Sequence, residues 1–116
     1  MNQERYVTEM MLNLGVPAHL RGYRYLREAI IMSIEDMELV GSVTKLLYPE
    51  IAKQFHVTDQ KVERGIRNAI DVSWERGNKE TFTEIFGYCG TDGRIRPTNS
   101  EYIAKLADKV RLDFQR

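Results

Sequence analysis

The feature that most constrains the fold is an apolar stripe with a four-residue period between positions 62 and 74. The stripe consists of Val62, Ile66, Ile70 and Trp74, flanked by Ala69 and Ser73. This spacing predicts an amphipathic helix with one buried face, and the large ring of Trp74 is expected in the core. The opposite face would carry Gln60, Arg64, Arg67, Asn68 and Asp71, with Lys61 on one flank and Glu63 nearer the buried edge.

The residues before this stripe have the spacing of a helix-turn-helix. Ala52 is small enough to face a closely crossing second helix, Phe55 ends the first helix, and Val57 is an apolar turn residue. Thr58 is a residue that starts helices, because its hydroxyl can accept from backbone N–H groups two or three positions on. Together with Val62 at its fixed offset, these residues predict a helix-turn-helix whose second helix spans about residues 58–76.

Apolar spacing alone would also fit an ordinary pair of amphipathic helices with a solvated charged face. Two positions depart from the usual motif. His56 stands where the turn often has glycine, and Gly65 stands where an apolar residue is usual. Gly65 costs a helix about 1 kcal/mol relative to alanine, and it would let a neighbouring element or a nucleic-acid backbone approach closely.

Helices are also predicted on both sides of the motif, at residues 5–14, 22–34, 79–86 and from the capping box Thr98–Glu101 onward. A further helix is expected to start at Ser42, and residues 42–55 could form one kinked helix or two. Ser42, Thr44 and Lys45 would lie at its N-terminus, as simple capping residues or as phosphate contacts. Residues 87–97, with the turn pair Asp92-Gly93, predict a loop or small hairpin. The fold class is therefore all-α, a compact single domain over residues 1–116 with about six helices.

Composition limits the possible functions. The chain has 17 basic and 17 acidic residues, so any polyanion site must come from the local placement of charge. A single cysteine excludes an internal disulfide and suits a reducing cytoplasm. No apolar run approaches membrane-spanning length and no signal peptide opens the chain, so a soluble cytoplasmic protein without a membrane partner is expected. His19, His56 and Cys89 form no recognised catalytic or metal-binding pattern, which predicts no enzyme activity, cofactor or metal.

Several long strings of the sequence resemble one protein family. They are GVPAHLRGYRYLREAI (15–30), GSVTKLLYPEIAKQF (41–55), VERGIRNAI (62–70), SWERGN (73–78), FGY (86–88) and RPTNSEYIAKLADKVRL (96–112). The family is the C-terminal effector domain of stage zero sporulation protein A, the response regulator of sporulation in endospore-forming Firmicutes. The resemblance covers roughly residues 7 to 114. It implies sequence-specific binding of double-stranded DNA and control of transcription, by activation or repression.

The resemblance also implies roles for individual residues. Lys61, Glu63 and Arg64 would face bases, and Arg67 and Asn68 would contact bases or phosphates. The DNA backbone would be held by Ser42, Lys45, Thr98, Asn99, Ser100 and Lys109. Lys61 replaces an arginine of the best-known member, and Asn68 replaces a histidine. Lysine offers a point charge in place of a bidentate fork, which weakens the expected base contact at this position.

Members of the family also touch a sigma factor of RNA polymerase through the segment that matches residues 81–90. The corresponding contacts would be Thr81, Thr83, Phe86 and Gly90, although Glu84 and Gly90 differ from the family. The resemblance further suggests a dimer or tandem binding on DNA. The family couples this domain to an N-terminal phosphoryl-accepting receiver, which is absent here. The chain is thus expected to be an excised effector domain or a stand-alone relative.

Overall fold

The computed structural model describes residues 2–90 and 95–115 and consists of six α-helices. The helices are α1 (Gln3–Asn13), α2 (Arg21–Glu35), α3 (Tyr48–Phe55), α4 (Asp59–Arg76), α5 (Lys79–Phe86) and α6 (Asn99–Asp113). A 3-10 turn (Met37–Gly41) and a π-helical turn (Val43–Leu47) connect α2 to α3. No strand occurs in the described residues. The predicted all-α class is confirmed, and the predicted Asp92-Gly93 turn lies outside the described residues.

One apolar core joins the helices, and α2 lies at its centre between α4 and α6. The apolar faces of α1, α2, α4 and α6 supply most of its buried side chains. Trp74 is an exception, because its side chain is only partly buried at the rim of this core. Its ring packs edge-on against Phe82 at 5.3 Å and Tyr88 at 5.9 Å. The prediction that Trp74 lies in the core was wrong, because α5 and the residues after it cover only part of the ring.

Residues 42–55 form one continuous helical path that begins with a π-helical turn, rather than two separate helices. The Ser42 carbonyl accepts from Leu46 N at 2.8 Å and from Leu47 N at 3.3 Å. The helical path continues into α3, whose second residue is Pro49. Proline has no N–H, and in a regular α-helix its ring clashes with the carbonyl four residues earlier. A wider π-helical turn before Pro49 relieves this clash. The Ser42 side chain makes no capping hydrogen bond, so the expected capping by this hydroxyl is not observed.

Two glycines bring α2 and α4 into backbone contact. A Cβ atom on Gly22 would lie 1.8 Å from the carbonyl oxygen of Gly65, and a Cβ atom on Gly65 would lie 2.8 Å from the Tyr25 ring. Gly65 therefore serves the close approach of a neighbouring element, one of the two uses expected from the sequence. The contact fixes the position of the start of α2 along α4, next to the exposed face of α4.

A buried polar link ties α4 to α1 and α6. The Ser73 hydroxyl donates to the Leu14 carbonyl at 2.6 Å, so the Tyr102 hydroxyl, 2.7 Å away, donates to Ser73 Oγ. All three side chains are fully buried. Burial raises the pKa of Tyr102, while its hydrogen bond to Ser73 opposes that rise.

Ser73→Ala should lower the free energy of unfolding by about 1–3 kcal/mol, because it leaves a buried carbonyl and a buried phenol without partners. Urea denaturation followed by circular dichroism measures this loss. Tyr102→Phe is the matched control, since it removes one hydroxyl but leaves the Ser73 bond to Leu14 intact, and it should cost less. Equal stability of Ser73→Ala and the wild type would contradict the proposed role of this link.

Candidate nucleic-acid interface

The turn between α3 and α4 has the backbone geometry of a helix-turn-helix. His56 adopts a left-handed conformation with φ 56° and ψ 46°. Its N–H donates to the Lys53 carbonyl at 3.4 Å, and Val57 N donates to the Ala52 carbonyl at 3.0 Å. These two bonds are a Schellman C-cap, which usually places glycine at the left-handed position. His56 thus takes the conformation that glycine supplies elsewhere, and the departure seen in the sequence leaves the turn intact.

The second helix of the motif starts where the sequence predicts. Thr58 is extended, and its Oγ1 accepts from Lys61 N at 3.1 Å as an N-cap. Ala52 and Val62 are buried at the crossing of α3 and α4, and Phe55 and Val57 pack against the core. The outer face of α4 exposes Gln60, Lys61, Arg64, Arg67, Asn68 and Asp71. This capped helix with a polar outer face is the second helix of the motif, the one that is called the recognition helix in DNA-binding proteins.

The cations on this face differ in whether they are already paired. Arg67 Nη2 bonds to Glu63 Oε1 one turn earlier, and this hydrogen bond is the main cause of a raised Arg67 pKa. Lys61 and Arg64 form no ion pair within residues 2–90 and 95–115. An incoming anionic ligand would therefore meet Lys61 and Arg64 first, whereas Arg67 must share or exchange its carboxylate partner.

The start of α6 lies beside the recognition helix. Asn99 Nδ2 donates to the Tyr48 hydroxyl at 3.0 Å and to the Glu63 carbonyl at 3.3 Å. Burial raises the pKa of Tyr48, and the bond from Asn99 partly offsets this. One concave surface, which we call the α6 groove, joins the π turn, α4 and the start of α6. Its lining includes Thr44, Tyr48, Glu63, Arg67, Thr98, Asn99 and Ser100.

A capping box orders the first turn of α6. Thr98 Oγ1 accepts from Glu101 N at 3.1 Å, and Glu101 Oε1 accepts from Thr98 N at 2.9 Å. The bond from the Thr98 N–H is the main cause of a lowered Glu101 pKa. The predicted capping box is confirmed.

The chain matches the family model described as Sporulation initiation factor Spo0A C terminal over residues 7–110. The chain belongs to this family. The match runs from α1 into the last turns of α6 and includes the helix-turn-helix and the α6 groove. The description names a sporulation initiation factor and no enzymatic class.

One contact of this family member was not predicted from its sequence. Arg96 Nε lies 2.5 Å from Asp71 Oδ1, and Arg96 Nη1 donates to the Pro97 carbonyl at 2.7 Å. The pair joins the segment before α6 to the C-terminal half of α4. Opposite charge is the sequence signal for this pair, and opposite charge alone does not identify partners.

The remaining predicted DNA-contact residues lie apart from the α6 groove or at its edge. Ser42 is half-exposed and Lys45 exposed, beside the groove residues Val43 and Thr44. Lys109 is ten residues beyond Asn99, about 15 Å along α6. Its Nζ lies 3.3 Å from Asp113 Oδ2. The structure therefore brings Thr98, Asn99 and Ser100 to the recognition helix but leaves Lys109 towards the far end of α6.

The predicted sigma-factor residues lie on α5 and just after it. Phe86 is buried, with its ring 5.4 Å from Phe82 and 5.3 Å from Tyr102, so it supports this segment from below. Thr81 is half-exposed, and Thr83 and Gly90 are exposed. The Thr83 hydroxyl donates to the Lys79 carbonyl at 2.9 Å. The accessible part of the predicted contact is thus Thr81, Thr83 and Gly90.

Other kinds of site find no support in the described part of the chain. Residues 2–90 and 95–115 hold no group of three or more His, Cys, Asp or Glu side chains placed to bind a metal ion. No helix among them is long and apolar enough to span a membrane.

Proposed function

We propose that the protein binds specific sequences in double-stranded DNA and regulates transcription at entry into sporulation, as an activator or a repressor. The observation that carries this proposal is the capped, exposed face of α4. Lys61 and Arg64 lie in its first two turns and form no ion pair with any residue of 2–90 or 95–115. Membership of a sporulation initiation factor family supports the same role. We place the protein in the cytoplasm, acting as one DNA-binding domain.

Each side chain on the face of α4 has a base edge that suits its chemistry. The Arg64 guanidinium can donate twice to O6 and N7 of guanine, and Lys61 can donate to the same acceptors as a single charge. The Glu63 carboxylate can accept from the N4 amino group of cytosine. Because Glu63 and Arg67 are paired in the free protein, we propose that they bind neighbouring bases, or a base and a phosphate, as a unit. Asn68 would contact a base or a phosphate.

The DNA backbone contacts follow from the helix starts beside α4. The first turn of α6 presents backbone N–H groups together with the Thr98 hydroxyl, Asn99 and Ser100, which together suit a phosphate. Ser42 and Lys45 would hold a phosphate beside the π turn. Asn99 has a second role, because it also fixes α6 to Tyr48 and to the Glu63 carbonyl.

Binding to labelled duplexes at several salt concentrations tests the proposal. The logarithm of the association constant should fall linearly with the logarithm of salt concentration, because phosphate contacts release counterions. A duplex selected by the protein from a random pool should bind about 10³-fold more tightly, or more, than a scrambled one. Absence of duplex binding at low salt would overturn the proposal.

Lys109 offers a separate test of the backbone contacts. If Lys109 meets a phosphate, Lys109→Ala should weaken binding to selected and scrambled duplexes equally and reduce the salt slope by about 0.9. The Asp113 partner seen in the free protein would then be exchanged for phosphate. A titration at several salt concentrations measures both quantities. An unchanged slope and affinity would exclude Lys109 from the interface.

We also propose a protein partner, the sigma factor of RNA polymerase, for the surface formed by Thr81, Thr83 and Gly90. Thr83 is exposed on the short helix α5, and Gly90 is exposed in the segment that follows it. This exposure favours the surface as a contact site. Two copies of the protein would bind DNA as a dimer or in tandem. Duplex binding measured without polymerase tests the DNA-binding function separately from this interaction. Thr83→Ala should leave that duplex binding unchanged.

A further inference from the structure

A second concave surface lies on the side of α4 away from α6, and we call it the α2 groove. It is lined by Arg21, Tyr25, Thr58, Gln60, Lys61, Arg64 and Gly65. The lining holds three cations and no carboxylate, whereas the α6 groove includes Glu63 beside its cations. None of the three cations forms an ion pair with another residue of 2–90 or 95–115. The α2 groove is therefore a concentrated positive site next to the start of the recognition helix.

The position of Arg21 in this groove is determined by the glycine contact between α2 and α4. Arg21 is the first residue of α2 and directly precedes Gly22, which lies against the backbone of Gly65. The Tyr25 ring covers Gly65 on the same side and is itself packed edge-on against Phe55 at 5.3 Å. Arg21 thus projects its exposed side chain from a rigid base beside Lys61 and Arg64.

We propose that Arg21 binds a backbone phosphate of the DNA strand that borders α4 on the side of α2. This inference rests on the proposed DNA-binding function and adds a contact from outside the helix-turn-helix. The major groove is about 12 Å wide and is filled by an inserted helix, so elements that flank the helix meet the phosphates at its two edges. The start of α6 occupies one flank and Arg21 the other. Each strand is then held by one element outside the motif.

A phosphate suits Arg21 better than a base does. In the α2 groove Arg21 belongs to α2, whereas Lys61 and Arg64 belong to the exposed face of α4 that is proposed to meet bases. A phosphate oxygen can accept from the planar guanidinium without any restriction on sequence. Arg21 should accordingly contribute affinity and orientation but no discrimination between sequences.

The test compares Arg21→Ala with Arg76→Ala, which removes the same charge from the exposed last turn of α4. Arg76 is about 18 Å from Arg64 along the helix. Arg21→Ala should weaken binding about five-fold near 0.15 M salt on selected and scrambled duplexes alike, and reduce the salt slope by about 0.9. Arg76→Ala should stay within about two-fold of the wild type. Arg21→Lys should retain the wild-type slope, because it keeps the charge.

Ethylation of individual phosphates locates the contact. Wild-type binding should be blocked by ethylation at one or two positions of one strand that no longer matter for Arg21→Ala. An Arg21→Ala variant with wild-type affinity, slope and interference pattern would overturn this proposal while leaving the DNA-binding function intact. A wild-type protein that binds no duplex would overturn both, and the two failures are therefore distinguishable.

Discussion

Gly22→Ala is expected to lower the free energy of unfolding by about 3 kcal/mol or more, at the upper end of the cost of overpacking. The added Cβ would lie 1.8 Å from the Gly65 carbonyl oxygen and 2.3 Å from its carbonyl carbon. Both atoms belong to the backbone of α4, so no side-chain rotation relieves the clash. The two helices must move apart, and this opens the core between them. Because small domains are stable by only about 5–15 kcal/mol, the loss should be obvious in urea denaturation.

Gly41→Ala is the matched control for this prediction. No heavy atom lies within 4 Å of a Cβ placed on Gly41, and this residue is exposed at the end of the 3-10 turn. Its substitution should change stability by no more than about 0.5 kcal/mol. Equal stability of the two variants would show that α2 and α4 do not meet at Gly22 and Gly65. It would also remove the rigid base assigned to Arg21.

Arg64→Ala should weaken binding to a selected duplex by about 1–3 kcal/mol, the cost of losing a bidentate guanine contact. This corresponds to a factor of about 5 to 150 in the dissociation constant. Binding to a scrambled duplex should fall much less, because Arg64 lies on the outer face of α4, within two turns of its start. Titrations of both duplexes by fluorescence anisotropy measure the difference.

Arg76→Ala is again the control, because it removes one arginine from the same helix without changing the outer face of its first turns. It should leave the ratio of selected to scrambled affinity unchanged. Equal losses for Arg64→Ala on the two duplexes would assign Arg64 to a phosphate. The specificity would then have to come from Lys61, Glu63 or Asn68.

Local chemistry explains why much of the fold could be predicted from the sequence. Apolar periodicity identifies the buried face of α4, and Thr58 and the Thr98–Glu101 capping box mark the starts of α4 and α6. The motif around Ala52 and Val62 was predictable because its constraints act between residues close together in the chain. His56 showed that the turn tolerates a residue other than glycine in the left-handed conformation.

Contacts between distant parts of the chain could not be predicted in this way. The approach of Gly22 to Gly65 and the pairing of Arg96 with Asp71 depend on how helices cross. Arg21 carried no motif signal, because its position beside the recognition helix follows from the same crossing. Trp74 was misplaced because its stripe predicts which face it occupies but not how far its neighbours extend over the ring.

Methylation interference on a duplex that the wild-type protein selects from a random pool tests the central claim most directly. The claim is that α4 reads base edges in the major groove. Methylation of guanine N7, which faces the major groove, should block binding at a few positions, and one of them should lose its effect with Arg64→Ala. Selection of no sequence, or interference restricted to adenine N3 in the minor groove, would contradict the account.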